Sequence, residues 1–596
     1  MKILASYKKG IYGVVAAIFA FLFVSKCSAI NVLNLEKSAA YSIWSILFCV
    51  LTYVGYLYLK DYKKKISVFL FSYLFLGAFL TGFVVRNSNG GGVFEYYLFD
   101  ILLGTLGGTL GVTYVVSVLL DKLQVVSEEP EKKWSTKKYF WTIFGILLIS
   151  WIPVFLAYYP GIFAYDVHTQ VTQMNTGEYT THHPLLHTLL LQLFYRMGEN
   201  FGSYNLGVVA YVVFQTILVA MSISYAILYL YEKGVNKTVR RILVAFFALC
   251  PVNSILAISV TKDILFSAAM LFFIIQLLRF IEEEKRRESI PCTIVLFATG
   301  VVTFLMRNNA RYVLLVWTIL WTIYILRSKW EKTGKIVAVL LMVGILMIGK
   351  VADTGMIKAL DAEEGSINEA LSLPIAQISR CYFFKSAEID MTLQNEFEVL
   401  NLTPGDYGLP VIDIAKGKIQ IEGQEELFFN VWKKLLKTYP TIYMDSLLYL
   451  HQGDWSLDDI STAHVYGASM ELRTGYLLTG TAGGYGVEHK SLFPALENLY
   501  EEWFSGNGYQ DIPVFFNLFT PALYFWLLLV CLLHAFLTGN KKVLLVGSLL
   551  VLYYGTVLLG PCTLIRYSYP LVLSAPILAA LELTRPLQKT ELAKNK

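Results

Sequence analysis

The chain has 596 residues, of which 56% are hydrophobic and 15% aromatic but only 16% charged, and its mean hydropathy is +0.55. That much apolar sequence excludes a soluble enzyme and marks an integral membrane protein with many spans. The net charge of +5 is spread over short Lys/Arg runs between apolar segments, which argues against a nucleic-acid-binding surface.

The first apolar run, 11–30, follows Lys2, Lys8 and Lys9. Lys26 precedes Cys27, which suits neither a small-residue cleavage site nor a lipid-attachment cysteine, so the run reads as a retained signal anchor. Further spans are expected at 40–59, 66–86, 94–120, 140–158, 204–231, 242–260, 264–280, 291–306, 312–326, 336–352, 513–538, 543–560 and 567–583. Each approaches the roughly 20 residues needed to cross the hydrocarbon core. The fold class is therefore an all-α polytopic membrane protein of about fourteen helices. The seven cysteines are scattered and suggest neither a disulfide framework nor a zinc site.

The fourth span carries Glu95 and Asp100 beside Gly104, Gly107, Gly108 and Gly111. Small residues at that spacing mark close helix packing, and Asp100 is a candidate proton site of the transporter type.

The loop after the fifth span concentrates the chemistry. Asp166, His168, Glu178, His182, His183 and His187 fall within 22 positions, including four of the eight histidines. Ionisable groups beside a bilayer are functional candidates. Asp166 follows Tyr-Pro-Gly and has two readings: a turn or cap carboxylate, or a general base that takes a proton from an incoming hydroxyl. The nearby histidines favour the base. His183 and His187, four apart, would share one helix face with Pro184 in the first turn. With Asp166 they are the candidate ligands of a divalent cation. For His182 and His183, hydrogen bonding to phosphate or sugar hydroxyls is the stronger reading, and His187 also fits plain packing.

Charge sets the topology. With the N-terminus inside, the cytoplasmic loops hold Lys60, Lys63, Lys64, Lys65, Lys132, Lys133, Lys137, Lys138, Arg240, Arg241, Lys285, Arg286, Arg287, Arg327, Lys329, Lys541 and Lys542. The opposite short loops are nearly bare, and the C-terminus also falls inside. Lys262, Arg307, Arg311 and Arg566 remain at outer span ends. They are candidate phosphate ligands, Arg through its planar fork and Lys as a point charge. The plainer alternative pairs them with Asp263, lipid headgroups or the acidic insertion that follows.

That insertion, 353–512, holds 24 acidic and 10 basic residues. Its net charge is −14 against +5 for the whole chain, so the remainder carries +19. An acidic external domain on a basic membrane body is expected. Within it, Glu425 to Leu450 reads as an amphipathic helix, with Phe428, Trp432, Leu435 and Leu436 interleaved by Lys433, Lys434 and Lys437. Tyr439-Pro440 breaks it. Its apolar face is expected on the outer leaflet or against the bundle.

Three short motifs carry a family likeness. Tyr165-Asp166, His183-Pro184-Leu185 and Arg566-Tyr567-Ser568-Tyr569-Pro570-Leu571 resemble the GT-C superfamily of membrane glycosyltransferases that use polyprenyl-phosphate sugars. Val167 stands where the superfamily often has the second acid of an Asp-Glu pair. From about Trp141 onward the chain more closely resembles a family of uncharacterised bacterial multi-pass proteins. The shared marks are Tyr159-Pro160-Gly161, Asp166, the run Thr181 to His187, the run Leu373 to Arg380, and Tyr439-Pro440 with Tyr443.

The likeness implies four regions: an N-terminal four-helix region (1–139), a GT-C-like core (140–352) with its catalytic external loop at 159–203, the acidic domain (353–512), and C-terminal helices with a cytoplasmic tail (513–596). It implies a multi-pass protein of the bacterial plasma membrane, surrounded by membrane lipids, that moves sugar from a polyprenyl-phosphate donor to a lipid, glycan or protein acceptor. Asp166 would be the base, and His182, His183, Lys262, Arg307, Arg311 and Arg566 would bind substrate. Two other classes are a flippase for lipid-linked sugars, dependent on Asp100, and a non-catalytic subunit of an envelope-assembly complex.

Overall fold

The computed structural model describes residues 2–30, 43–59, 65–88, 90–122, 134–163, 165–408, 411–457, 486–505 and 515–583. Lys60, Lys63, Lys64, Lys132, Lys133, the segment 458–485 and the tail 584–596 lie outside them.

A helix occupies each of the expected apolar runs. Among the described residues eight are long and apolar enough to cross a membrane, or nine if Lys237–Leu249 and Pro251–Ile258, bent by 50°, form one broken span. Pro251 accounts for the break, because proline lacks the N–H of the helix ladder and clashes with the preceding turn. Ile290–Met306, Ala310–Leu326 and Tyr569–Glu582 are apolar but shorter. Their shortness has a common cause. The first ends at Arg307, the second begins after Asn309, and the third begins after Arg566 and Ser568, so each yields one terminal turn to a polar loop.

The Lys262–Glu282 helix is the axis of the bundle. It is buried almost along its whole length, as expected of a helix that is apolar all round. Tyr204–Glu232, Ile290–Met306, Lys541–Val557 and Tyr569–Glu582 pack around it in one continuous core. The first four helices, Lys2–Ala29, Ile43–Leu59, Lys65–Asn87 and Phe94–Lys122, pack mainly on one another. A Cβ on Gly107 would lie 2.7 Å from the Phe19 carbonyl oxygen, so the glycine face does serve close packing. Asp100 is paired with Lys26 at 2.7 Å and is not a lone acid.

The acidic region has its own core, built from Ile375, Ile378, Cys381, Phe397, Phe428, Val431 and Leu435. The amphipathic segment is two helices, Glu425–Thr438 and Pro440–Leu450, broken where Tyr439-Pro440 predicts. Its expected partner is corrected. Phe428, Val431 and Leu435 are buried within the acidic region, where the Glu425–Thr438 helix packs on Ser372–Lys385, so this apolar face is covered by neither lipid nor bundle.

The second helix does reach the membrane region. The Asp445 carboxylate accepts the backbone N–H groups of Val93 and Phe94, each at 3.0 Å, and so caps the Phe94–Lys122 helix from a distant part of the chain. Arg380 donates to the carbonyls of Gly90 and Gly91 at 2.8 and 3.1 Å.

Candidate functional site

Two very short strands assemble the site. Ile162–Phe163 pairs in parallel with Ser259–Val260, with Ile162 opposite Ser259 and Phe163 opposite Val260. Gly161 permits the approach: its φ is +140°, and a Cβ there would lie 2.6 Å from Val212 Cγ2. Each strand feeds a helix, Tyr165–Thr176 and Lys262–Glu282, so two helix N-termini come side by side. Asp166 and Asp263 lie in those first turns, where the helix dipoles favour negative charge.

The charges then interlock. Lys262 Nζ donates to Asp166 Oδ2 at 2.5 Å and to His183 Nδ1 at 3.2 Å. Arg566 reaches both acids, with Nη2 3.4 Å from Asp166 Oδ1 and Nε 3.5 Å from Asp263 Oδ2. Arg307 pairs with Asp263 and donates through Nε to Asn309 Oδ1 at 3.1 Å. The rings of Tyr567 and Tyr553 lie 4.9 and 5.5 Å from its guanidinium, a cation–π wall.

Among these five side chains three cations face two carboxylates, a formal excess of one positive charge. None of the five side chains is more than 13% exposed. A net positive charge in a cluster so shielded from water is costly, and an anion placed here would relieve that cost. Burial works against the charge of Asp166, but the adjacent Arg566 and Lys262 outweigh it and hold the carboxyl well below the ordinary carboxylate range. Burial, reinforced by Lys262, pushes the His183 ring well below the ordinary histidine range. A neutral ring accepts from Lys262 at Nδ1 and keeps Nε2–H as a donor.

Of the expected site residues, the structure gathers Asp166, His183, Lys262, Arg307 and Arg566. Arg311 is held apart by Asp353 Oδ2 at 3.1 Å and Asn308 Oδ1 at 2.9 Å. His182 is exposed, 4.4 Å between ring centroids from His183 and 4.0 Å from Glu369 Oε1. Glu178 is exposed. The turn bearing the two histidines is clamped from outside. Thr181 N–H donates to the Glu363 carbonyl at 2.8 Å, and Asn308 Nδ2 donates to the Thr181 carbonyl at 3.0 Å.

The metal reading needs correction. The helix begins at Leu185 with Pro184 as its cap, so His183 precedes it and shares no helix face with His187. His187 is fully buried, with Nδ1 at Gln170 and Nε2 2.7 Å from the Tyr211 hydroxyl. The Lys262 ammonium bonds both Asp166 and His183, which repels a cation there. Among the described residues, no group of three or more His, Cys, Asp or Glu is placed to hold a metal ion. A divalent cation does not fit this site.

Asp263, which the sequence offers only as a plain pairing partner, is central here. Its signal was the opposite charges of Lys262 and Asp263 side by side inside an apolar stretch. Tyr553 and Tyr567 gave none, being two among 39 tyrosines.

A family model described as a family of unknown function (DUF6020) matches residues 174–403. That stretch holds His182, His183, Lys262, Arg307 and Arg311 but neither Asp166 nor Arg566. No curated protein matches the chain, and no solved structure does.

Proposed function

We propose that this chain is a GT-C-type glycosyltransferase of the bacterial plasma membrane, with fourteen spans and both termini cytoplasmic. It moves sugar from a polyprenyl-phosphate donor to a lipid, glycan or protein acceptor of the envelope on the outer face. The observation that carries this reading is the buried cluster with one positive charge in excess, placed beside an ionised carboxylate at the ends of apolar helices. That pairing serves the two needs of the reaction: an anion to bind and a hydroxyl to deprotonate.

In this reading the donor phosphate draws Lys262 and Arg566 away from Asp166. The freed carboxylate accepts the proton of the acceptor hydroxyl. The acceptor oxygen bonds to the anomeric carbon from the face opposite the phosphate, and the bond from that carbon to the phosphate oxygen breaks. The polyprenyl phosphate leaves with the electron pair, its charge stabilised by Lys262 and Arg566. His183 Nε2–H donates to the phosphate or a sugar hydroxyl. Arg307 holds Asp263, which orients Arg566, while Arg311 and His182 serve the outer rim. A flippase reading would rest on Asp100, which Lys26 already neutralises.

The test is transfer of labelled sugar from a polyprenyl-phosphate donor in membranes with matched amounts of each variant. Asp166→Asn is expected to insert normally and to lose about 10²–10⁴-fold in transfer, the usual contribution of a general base. Near-normal transfer by that variant would overturn the proposal.

A further inference from the structure

A second buried polar pair adjoins the loop that carries Arg566. His451 and Asp454 follow the Pro440–Leu450 helix, are 0% exposed, and stand 2.9 Å apart from Nδ1 to Oδ2. The other ring nitrogen, Nε2, faces the Gly560 carbonyl at 3.2 Å. The ring is thus held on both sides, by the Asp454 carboxylate and by the Gly560 carbonyl. Asp454 also collects hydroxyls. Thr563 Oγ1 donates at 2.9 Å and Ser568 Oγ at 3.5 Å, while the Tyr554 hydroxyl lies 2.5 Å from the Asp454 carbonyl oxygen.

Apart from Tyr554, which lies in the last turn of the Lys541–Val557 helix, these partners fall on a single loop. Gly560, Thr563 and Ser568 bracket Arg566, the residue whose guanidinium reaches both Asp166 and Asp263. The Tyr553 hydroxyl adds a bond to the Tyr567 carbonyl at 2.6 Å. The loop is therefore held on both sides of Arg566 by two side chains of the acidic region, through one backbone carbonyl and two hydroxyls. A buried polar pair adds little net stability once desolvation is counted. Its geometric role here is plain: it sets where the Arg566 loop can sit.

We infer that His451 and Asp454 are positioning residues for the anion site, fixing Arg566 and so linking the acidic region to the site's affinity for phosphate. The inference rests on the anion-binding half of the proposed function and not on sugar transfer. The acidic region reaches this loop through the Pro440–Leu450 helix, the same helix that caps Phe94–Lys122 through Asp445. A displacement of that helix would act on Arg566 through the His451–Asp454 pair.

The experiment titrates decyl phosphate into the full chain in detergent by calorimetry. Asp454→Asn and His451→Gln are expected to weaken binding about tenfold, or about 1.4 kcal/mol, because the loop loses its anchor while Arg566 remains. The decisive step repeats Asp454→Asn in an Arg566→Ala background, where no further loss is expected because the positioned group is gone. Thr563→Val, which removes one hydroxyl, covers the case in which Asp454→Asn fails to fold. It should weaken binding about threefold with Arg566 present and not at all without it. Unchanged affinity in folded variants, or equal losses with and without Arg566, would overturn the inference. Wild-type protein that binds the probe but transfers no sugar would overturn only the glycosyltransferase reading. Wild-type protein that binds none would remove the anion site and the inference with it.

Discussion

His187 shows how a single side chain beneath the site couples protonation to folding. Burial, with the Lys262 charge nearby, lowers its pKa to about 3, below the unfolded value of about 6.5. The unfolded chain therefore binds this proton first as pH falls. The stability contributed by the neutral ring is full above about pH 6.5 and is lost as pH drops toward 3, at about 1.4 kcal/mol per pH unit. His187→Gln keeps a neutral partner for Gln170 and Tyr211 but cannot titrate. Its thermal-unfolding midpoint, followed in detergent from about pH 7 to 4, should fall less steeply than that of the wild type. His183 shifts in the same direction, so some slope persists, and parallel curves would remove the assignment. At this scale the sequence was legible at Asp166, His183, Lys262 and Arg566, ionisable groups in or beside apolar spans, but Asp263 in the same setting read only as a pairing partner. The sequence was not legible for Arg307 and Arg311, four positions apart and identical in type. Arg307 ends one helix and Arg311 lies in the first turn of the next, and the reversal between them sends one to Asp263 and the other to Asp353.

Between elements, periodicity is readable but partners are not. The helical spacing of Phe428 and Leu435 marks an apolar face and the Tyr439-Pro440 break, yet it does not say whether lipid, bundle or a local core covers that face. The two-residue strands of the site are too short for any alternation to show, though they bring Asp166 to Lys262. His183 lies outside its neighbouring helix because a proline cap needs no N–H, a boundary that the sequence reading placed one residue too early. The link from Asp445 to the Phe94–Lys122 helix spans about 350 positions in sequence and left no local signal. Its energetic weight can be measured. A cap carboxylate exchanged for alanine costs about 0.5–2 kcal/mol, and this one leaves two N–H donors without their partner. Asp445→Ala should therefore lower the unfolding midpoint, and Asp445→Asn, which keeps one acceptor oxygen, should lower it less. Equal effects of the two variants would show that charge, not capping, carries the contribution.

Across the whole molecule, the charge pattern and the helix geometry agree on two opposed ends. The Lys262–Glu282 helix has 21 residues, which at about 1.5 Å per residue spans roughly 30 Å, the thickness of a hydrocarbon core. The site surrounds its first turn. At its last turn, Glu282 meets Lys233 at 2.6 Å and Lys542 at 2.8 Å, so the helix ends expected in the cytoplasm are bound together far from the site. The excess of Lys and Arg at that end predicts its sidedness. Gly417 suits a cysteine label, because it is exposed and a Cβ there meets nothing within 4 Å. Lys329 is exposed in a loop expected on the opposite side. Cys49 and Cys292 are the half-buried native thiols among seven free cysteines, so both are first changed to serine. In intact cells a membrane-impermeant maleimide should label Gly417→Cys and should reach Lys329→Cys only after permeabilisation. The reverse pattern would place the anion site on the cytoplasmic face, where an outward-facing acceptor has no access to Asp166.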